Sequence, residues 1–114
     1  MYEYWGMVVK VHDGDTVKMD IDLGLSIWKR SESLRLLGIN APEVLGASRE
    51  AGLAARDALH ALVMGQRVRV RTVKDDKDKY GRYLASLFVV DAQGVEIDVN
   101  AWMLANGHAV PYAV

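Results

Sequence analysis

The sequence contains no cysteine, which excludes a disulfide framework and any thiolate metal site. It has no apolar run long enough for a membrane-spanning helix. The start, Met1-Tyr2-Glu3-Tyr4-Trp5, lacks the basic and then apolar segments of a secretory leader, so a full product of this sequence is expected to stay in the cytoplasm. Neither sign of charge is in surplus: 14 basic and 15 acidic residues give a net charge of −1. A polyanion would therefore have to be held by a local patch, because the summed field does not attract it. Repeats, low-complexity tracts and interdomain linkers are also missing. His12, His60 and His108 are far apart, no two of them have metal-ligand spacing on one element, and all three read as structural or solvated. What remains is 114 residues, 51% hydrophobic and 25% charged, the profile of one small ordered domain with a single core.

Along the chain, Met7 to Val11 reads as a strand and Val17 to Leu23 alternates apolar with polar residues. Asp13-Gly14 between them is a hairpin signal, since both residues tolerate positive φ. Gly24 to Ser33, with Trp28 flanked by Lys29 and Arg30, reads as a loop or extended hairpin end. Leu34 to Ile39 is an apolar strand carrying one arginine, and the three strands form a meander with Asp15 and Asn40 close together at its mouth. From Ser48 to Met64 the period changes: Ala51, Ala54, Ala55, Ala58, Leu59, Leu62 and Val63 recur at helical spacing. Ser48 is the expected N-cap, Glu50 suits the first turn, and Gly65 suits the C-terminal stop. Gly52 inside this helix costs roughly 1 kcal/mol relative to alanine. Gln66 to Val73 alternates arginine with valine, so its arginines either face water or meet phosphates. Val73 to Lys79 reads as a charged loop in which opposite charges nearly cancel. Arg82 to Val90 is a further strand, Asp91 to Gly94 a turn into Val95-Glu96-Ile97, and Asp98 caps a short helix from Val99 to Asn106 ended by Gly107. Five strands with a helix between the third and fourth follow the order of an OB-fold, a five-stranded Greek-key barrel in a mainly β, α+β chain.

The segment Leu34-Arg35-Leu36-Leu37-Gly38-Ile39-Asn40-Ala41-Pro42-Glu43 delivers a guanidinium, an amide and a carboxylate within nine residues. Pro42 ends the strand by removing a ladder donor and holding Ala41 extended. Upstream stands Asp13-Gly14-Asp15-Thr16, and downstream Asp78-Lys79-Tyr80-Gly81-Arg82. H-D-G-D-T-V, then R-L-L-G-I-N-A-P-E, then D-K-Y-G-R resembles the staphylococcal nuclease (thermonuclease) family in order and spacing. The likeness runs from about Val8 to about Tyr112. Asn40 departs from the pattern, which generally has aspartate there.

The resemblance implies a calcium-dependent phosphodiesterase that cuts DNA and RNA, single strands favoured, with little sequence preference, and leaves 3′-phosphate ends. Hydrolysing a phosphodiester requires charge relief on the non-bridging oxygens, an aimed water and a stabilised leaving oxygen. By motif match, Arg35 and Arg82 clamp the phosphate through their planar forks. Glu43 acts on the water, and Asp15, the Asn40 side chain and the Ala41 carbonyl ligate Ca2+. Lys79 and Tyr80 match substrate-contacting positions, and Tyr112 lies near another. The resemblance further implies one OB-fold domain over 1–114 without the family's usual third helix. That leaves barrel surface to be exposed, covered by a partner chain or second copy, or covered by the 108–114 tail. Two other functions stay open: an OB-fold nucleic-acid-binding module that has lost turnover, and a protein-interaction barrel. The joint presence of Arg35, Glu43, Arg82 and Asp15 disfavours both.

Overall fold

The computed structural model of the protein describes residues 2–112, except for the side chains of 74–76. Strands β1 (Tyr2–Asp13), β2 (Thr16–Asp22) and β3 (Trp28–Leu36) form an antiparallel meander. A turn at Leu37-Gly38 leads to the two-residue β4 (Ile39–Asn40), and a single 3₁₀ turn at Gly46–Ser48 precedes helix α1 (Arg49–Val63). β5 (Arg67–Lys77) pairs antiparallel with β1, and β6 (Tyr83–Val90) pairs antiparallel with β5. β6 then runs parallel to the end of β3, Leu34 to Leu36 against Tyr83 to Ala85, which closes a five-stranded barrel. A short β7 (Glu96–Asp98) extends the sheet beyond β6. Helix α2 (Val99–Ala105) follows, with the Asp98 carboxylate accepting the Ala101 N–H at 3.1 Å as its cap. The chain then returns as β8 (Val110–Pro111) to pair with β4. This is the OB-like barrel with two helices that the strand order implies.

Alternation places the core. Val17, Met19, Leu34, Leu36, Val68, Val70, Ala85 and Leu87 point inward and are fully or nearly fully buried. α1 seals the barrel with Gly52, Ala55, Leu59 and Val63, one face at helical spacing, while α2 adds Val99 and Met103. The stripe is narrower than the alanine count implies, since Ala51 and Ala54 face solvent.

Several boundaries differ from expectation. β1 begins five residues before Met7, because Tyr2 to Tyr4 pair with β5 and, from Trp5 on, the strand pairs with both β5 and β2. The expected loop from Gly24 to Ser33 is mostly strand, the turn being confined to 23–27 around residues with positive φ. β5 runs on to Lys77, so the expected 73–79 loop is mostly strand as well; the side chains of Lys74, Asp75 and Asp76 lie outside the described residues. The expected 108–114 tail forms β8, and its last two residues also lie outside the description. Ser48 does not cap α1; its hydroxyl donates to the Glu43 carbonyl at 3.1 Å.

Two glycines have a different purpose from the expected one. Gly14 is not in the positive-φ region. A Cβ there would stand 2.7 Å from the Ala41 Cβ and 2.8 Å from the Ala55 Cβ. A Cβ on Gly52 would stand 2.1 Å from the Glu43 carbonyl oxygen. The β1–β2 turn, the segment after β4 and α1 therefore meet at a junction only small residues permit.

Candidate active site

Each expected site residue borders one cleft of about 520 Å3 at the mouth of the barrel. The wall begins at the β1–β2 turn, where the Asp15 N–H donates to Asp13 Oδ1 at 3.0 Å and shapes a tight Asx turn. Asp15 is buried, and both its carboxylate oxygens are engaged. Oδ1 accepts the Thr16 hydroxyl at 3.0 Å, and Oδ2 accepts the Ala41 N–H at 2.8 Å. The second bond ties the Asp-Gly-Asp turn to the segment that carries Asn40 and Glu43. The Asp13 carboxyl is pushed up to about 6, chiefly by burial and then by its neighbour Asp15.

Arg35 enters from the end of β3, where Leu34 and Leu36 occupy the core on either side of it. Its guanidinium is aimed by three acceptors. Nη1 donates to the carbonyls of Leu36 at 3.1 Å and Ile39 at 2.8 Å, and Nη2 donates to Asn40 Oδ1 at 3.1 Å. Asp15 Oδ2 is 3.5 Å from Nη1. An arginine has five N–H donors, and among the described residues Nε–H and one N–H on Nη2 have no acceptor, which leaves them for a ligand. The Tyr112 ring lies 5.6 Å from the guanidinium carbon, brought there by β8, and the Tyr112 N–H donates to the Gly38 carbonyl at 2.9 Å.

Arg82 stands just before β6. The barrel-closing pairing of Arg35 with Leu84 brings both arginines to the same cleft. Asp78 holds it: Oδ2 accepts Nε–H at 3.0 Å and forms an ion pair with Nη2 at 3.0 Å, while Oδ1 accepts the backbone N–H of Arg82 and Tyr80 at 2.9 Å each. Burial raises the Asp78 carboxyl, but these N–H donors outweigh it and hold it below its ordinary range. The Tyr80 ring is 69% exposed, with Lys79 Nζ 5.1 Å and the Arg82 guanidinium 5.0 Å from its centre. Glu43 is exposed in the cleft, and among the described residues its carboxylate has no hydrogen bond or ion pair.

Three contributors escape a reading from residue type alone. Asp13 looks like a turn residue and Asp78 like one charge in a mixed run; only their bonds to Asp15 and Arg82 reveal them. Asn100 looks like filler in a short helix. Its side chain is buried, donates to the carbonyls of Leu37 at 2.9 Å and Ala85 at 3.1 Å, and accepts the Leu87 N–H at 3.2 Å. It thereby locks the turn after Arg35 onto β6. Two of the three alternating arginines of β5 are already taken by carboxylates: Arg69 bridges Glu3 and Glu96, and Arg71 pairs with Glu3, while the Arg67 guanidinium lies 4.0 Å from the centre of the Trp5 ring.

The oxygens offered to a metal are Asp15, the Asn40 amide, the Ala41 carbonyl and the nearby Glu43 carboxylate. An all-oxygen set is what a hard cation such as calcium takes. Among the described residues, no three His, Cys, Asp or Glu side chains cluster tightly enough to cage a metal by themselves. A cation held here would draw further oxygens from water or substrate, since Asp15 and Asn40 already accept hydrogen bonds from Thr16, Ala41 and Arg35.

Comparison with known proteins agrees with the geometry. Residues 33–114 match the family described as staphylococcal nuclease homologue. An uncharacterized protein of Methanocaldococcus jannaschii is 31% identical over 96% of this chain and 59% of its own length. The thermonuclease of Staphylococcus intermedius is 34% identical over 75% of this chain and 49% of its own, and that of Staphylococcus hyicus 32% over 72% and 47%. The chain thus spans about half the length of the curated relatives it matches. The matched segment includes Arg35, Asn40, Glu43, Lys79, Tyr80, Arg82 and Tyr112, and the barrel is the one this likeness implies. The chain belongs to the staphylococcal nuclease family.

Proposed function

We propose that the protein is a calcium-dependent phosphodiesterase acting on single-stranded DNA and RNA with little sequence preference. One observation carries the reading: two guanidinium groups, a carboxylate with no bond or ion pair among the described residues and a buried aspartate line a single cleft. The free Nε–H and Nη2–H of Arg35 bind one face of the scissile phosphate, and Arg82, steadied by Asp78, binds another. Both stabilise the charge that grows on the phosphoryl oxygens. Glu43 accepts a proton from a water molecule as that water attacks phosphorus. The bond to the 5′-oxygen breaks, that oxygen takes up a proton from solvent to leave as a 5′-hydroxyl, and the phosphate stays on the 3′ side. Calcium held by Asp15, Asn40 and Ala41 would add positive charge beside the phosphate. Tyr80 offers an exposed ring on which any base can stack, which favours tolerance of sequence.

A second reading, a binding module without turnover, is favoured by one feature. Asn40 brings no charge, and its oxygen already accepts from Arg35. Incubating labelled single-stranded DNA or RNA with the protein and calcium, then with a chelator, separates the two. Cleavage to 3′-phosphate ends that the chelator abolishes supports the enzyme. Retention of the strand without cleavage at saturating calcium supports the module, and neither binding nor cleavage overturns both.

A further inference from the structure

Beside the catalytic cleft lies a second, shallower hollow of about 230 Å3, lined by Lys10, His12, Thr16, Lys18 and Ser33 and bordered by Tyr80 and Arg82, which also line the cleft. Sheet register explains how these residues meet. Lys10 pairs with Lys18, and Lys18 with Ser33, so the three form one row across β1, β2 and β3 on the outer face of the barrel. The neighbouring outer row is Asp13–Thr16–Arg35: Asp13 and Arg35 line the cleft, and Thr16 between them lines the hollow. On β2 the rows are two residues apart, about 7 Å. That is a step of the order of one nucleotide along an extended strand.

His12 joins the row through an irregularity. The register of β1 on β2 shifts between Val11 and Asp13, leaving His12 as the extra residue, and a bulge of this kind re-aims a side chain. Lys10, His12 and Lys18 are all exposed. Among the described residues no carboxylate makes a salt bridge with either lysine, whereas Lys29, Arg30, Arg69, Arg71 and Lys77 all have acidic partners. In a chain of net charge −1, two lysines opposite each other on a strand pair, with no ion-pair partner among the described residues, are a concentrated positive patch.

We propose that this row is a strand-extension subsite: the single-stranded substrate leaving the cleft past Tyr80 and Arg82 crosses β1–β3 with its next phosphates on Lys10 and Lys18. The inference takes its occupant from the nuclease reading, and adds where the strand runs and which cations hold it. Its supports are charge complementarity with a polyanion and continuity with the cleft through two shared residues. The two lysines meet the backbone phosphates and not the bases, so the subsite adds length preference and not sequence preference.

The test uses the double variant Lys10→Gln/Lys18→Gln and a charge-matched control, Lys29→Gln/Arg56→Gln, whose cations lie outside both hollows. Cleavage is measured on the dinucleotide dTpdT and on an oligothymidylate of about twelve nucleotides, within the site sizes such barrels cover. Binding of the longer strand is measured in chelator against salt concentration. The expected result is a KM for the long strand raised on the order of tenfold, with dTpdT turnover unchanged. The slope of log affinity on log salt should be shallower by about 1.4, at about 0.7 for each phosphate that the variant no longer neutralises. The control pair should leave both unchanged. If the parent binds the long strand with this lysine-dependent slope yet cuts nothing, the subsite stands and the nuclease reading falls. If the parent cuts and the double variant keeps the parental KM and slope, or the control pair loses as much, the subsite falls and the nuclease reading stands. A parent that neither binds nor cuts overturns both. Melting curves of both double variants confirm that the fold is retained.

Discussion

Replacing Gly52 with alanine gives a sharp test of how the cleft is built, because two physical effects pull in opposite directions. Helix propensity alone favours alanine in the first turns of α1 by about 1 kcal/mol. Packing opposes it. The new Cβ would stand 2.1 Å from the Glu43 carbonyl oxygen, 2.4 Å from its carbon and 2.8 Å from the Val44 nitrogen. All three are backbone atoms, so no side chain can swing aside. To reach even a 3.0 Å contact the Glu43 carbonyl must retreat by about 0.9 Å, loosening the Ser48 hydroxyl bond at 3.1 Å that also holds it. Overpacking of this kind costs about 1–3 kcal/mol, so the net is a loss of roughly 1 kcal/mol, or about 4 °C in Tm. The larger effect falls on chemistry, since a displacement of about 1 Å in a positioned group can cost roughly 10²-fold in rate. Single-turnover cleavage beside a melting curve reads both. A variant with raised Tm and parental turnover would refute the idea that this close approach positions Glu43.

Arg35→Lys and Arg82→Lys should each lower turnover by roughly 10²–10³ while the melting curve holds, because lysine keeps charge but not the fork. Parental turnover in either would remove that arginine from the clamp. Asn40→Asp adds a unit charge beside the proposed calcium donors and should tighten calcium binding in the free protein on the order of tenfold. Calorimetry checks the affinity, and a rate assay in the same buffer should show turnover held or raised. For Asp13 the folded value of about 6 lies above the unfolded 3.8, so its favourable contribution is complete below pH 3.8 and lost as pH rises towards 6. In chelator, Asp13→Asn should therefore match the parent near pH 4 and melt several degrees above it beyond pH 6. A gap in Tm that does not change between those values would contradict the shift.

Much of the site was legible because its chemistry is concentrated in three short motifs whose order carries the topology. Arg35, Asn40 and Glu43 come from one strand end, and Tyr80 and Arg82 from the approach to the strand that pairs beside it. What stayed hidden depends on contacts between distant segments. Gly52 reads as a flaw in a helix until the Glu43 backbone is seen against it. Asn100 reads as filler until its amide is found bridging Leu37 and Ala85. The first four residues of β3, Trp28 to Ser31, resist reading for another reason: all are exposed, so no apolar alternation marks them, and ladder pairing alone makes them strand. Ser31 also sits at φ 53°, where the Asp20 carboxylate accepts its N–H at 2.9 Å.

The parallel seam between β3 and β6 has a consequence for how activity is acquired. It joins segments about fifty residues apart, whereas the β1–β2 and β2–β3 hairpins are local. Loop-closure entropy places such a pairing late, after local hairpins have formed. Both arginines flank this seam, so an intermediate with a formed meander and helix still has its guanidinium groups apart. Refolding followed by nuclease activity should lag refolding followed by backbone signals, and mutations that weaken the seam should slow the recovery of activity more than the recovery of secondary structure.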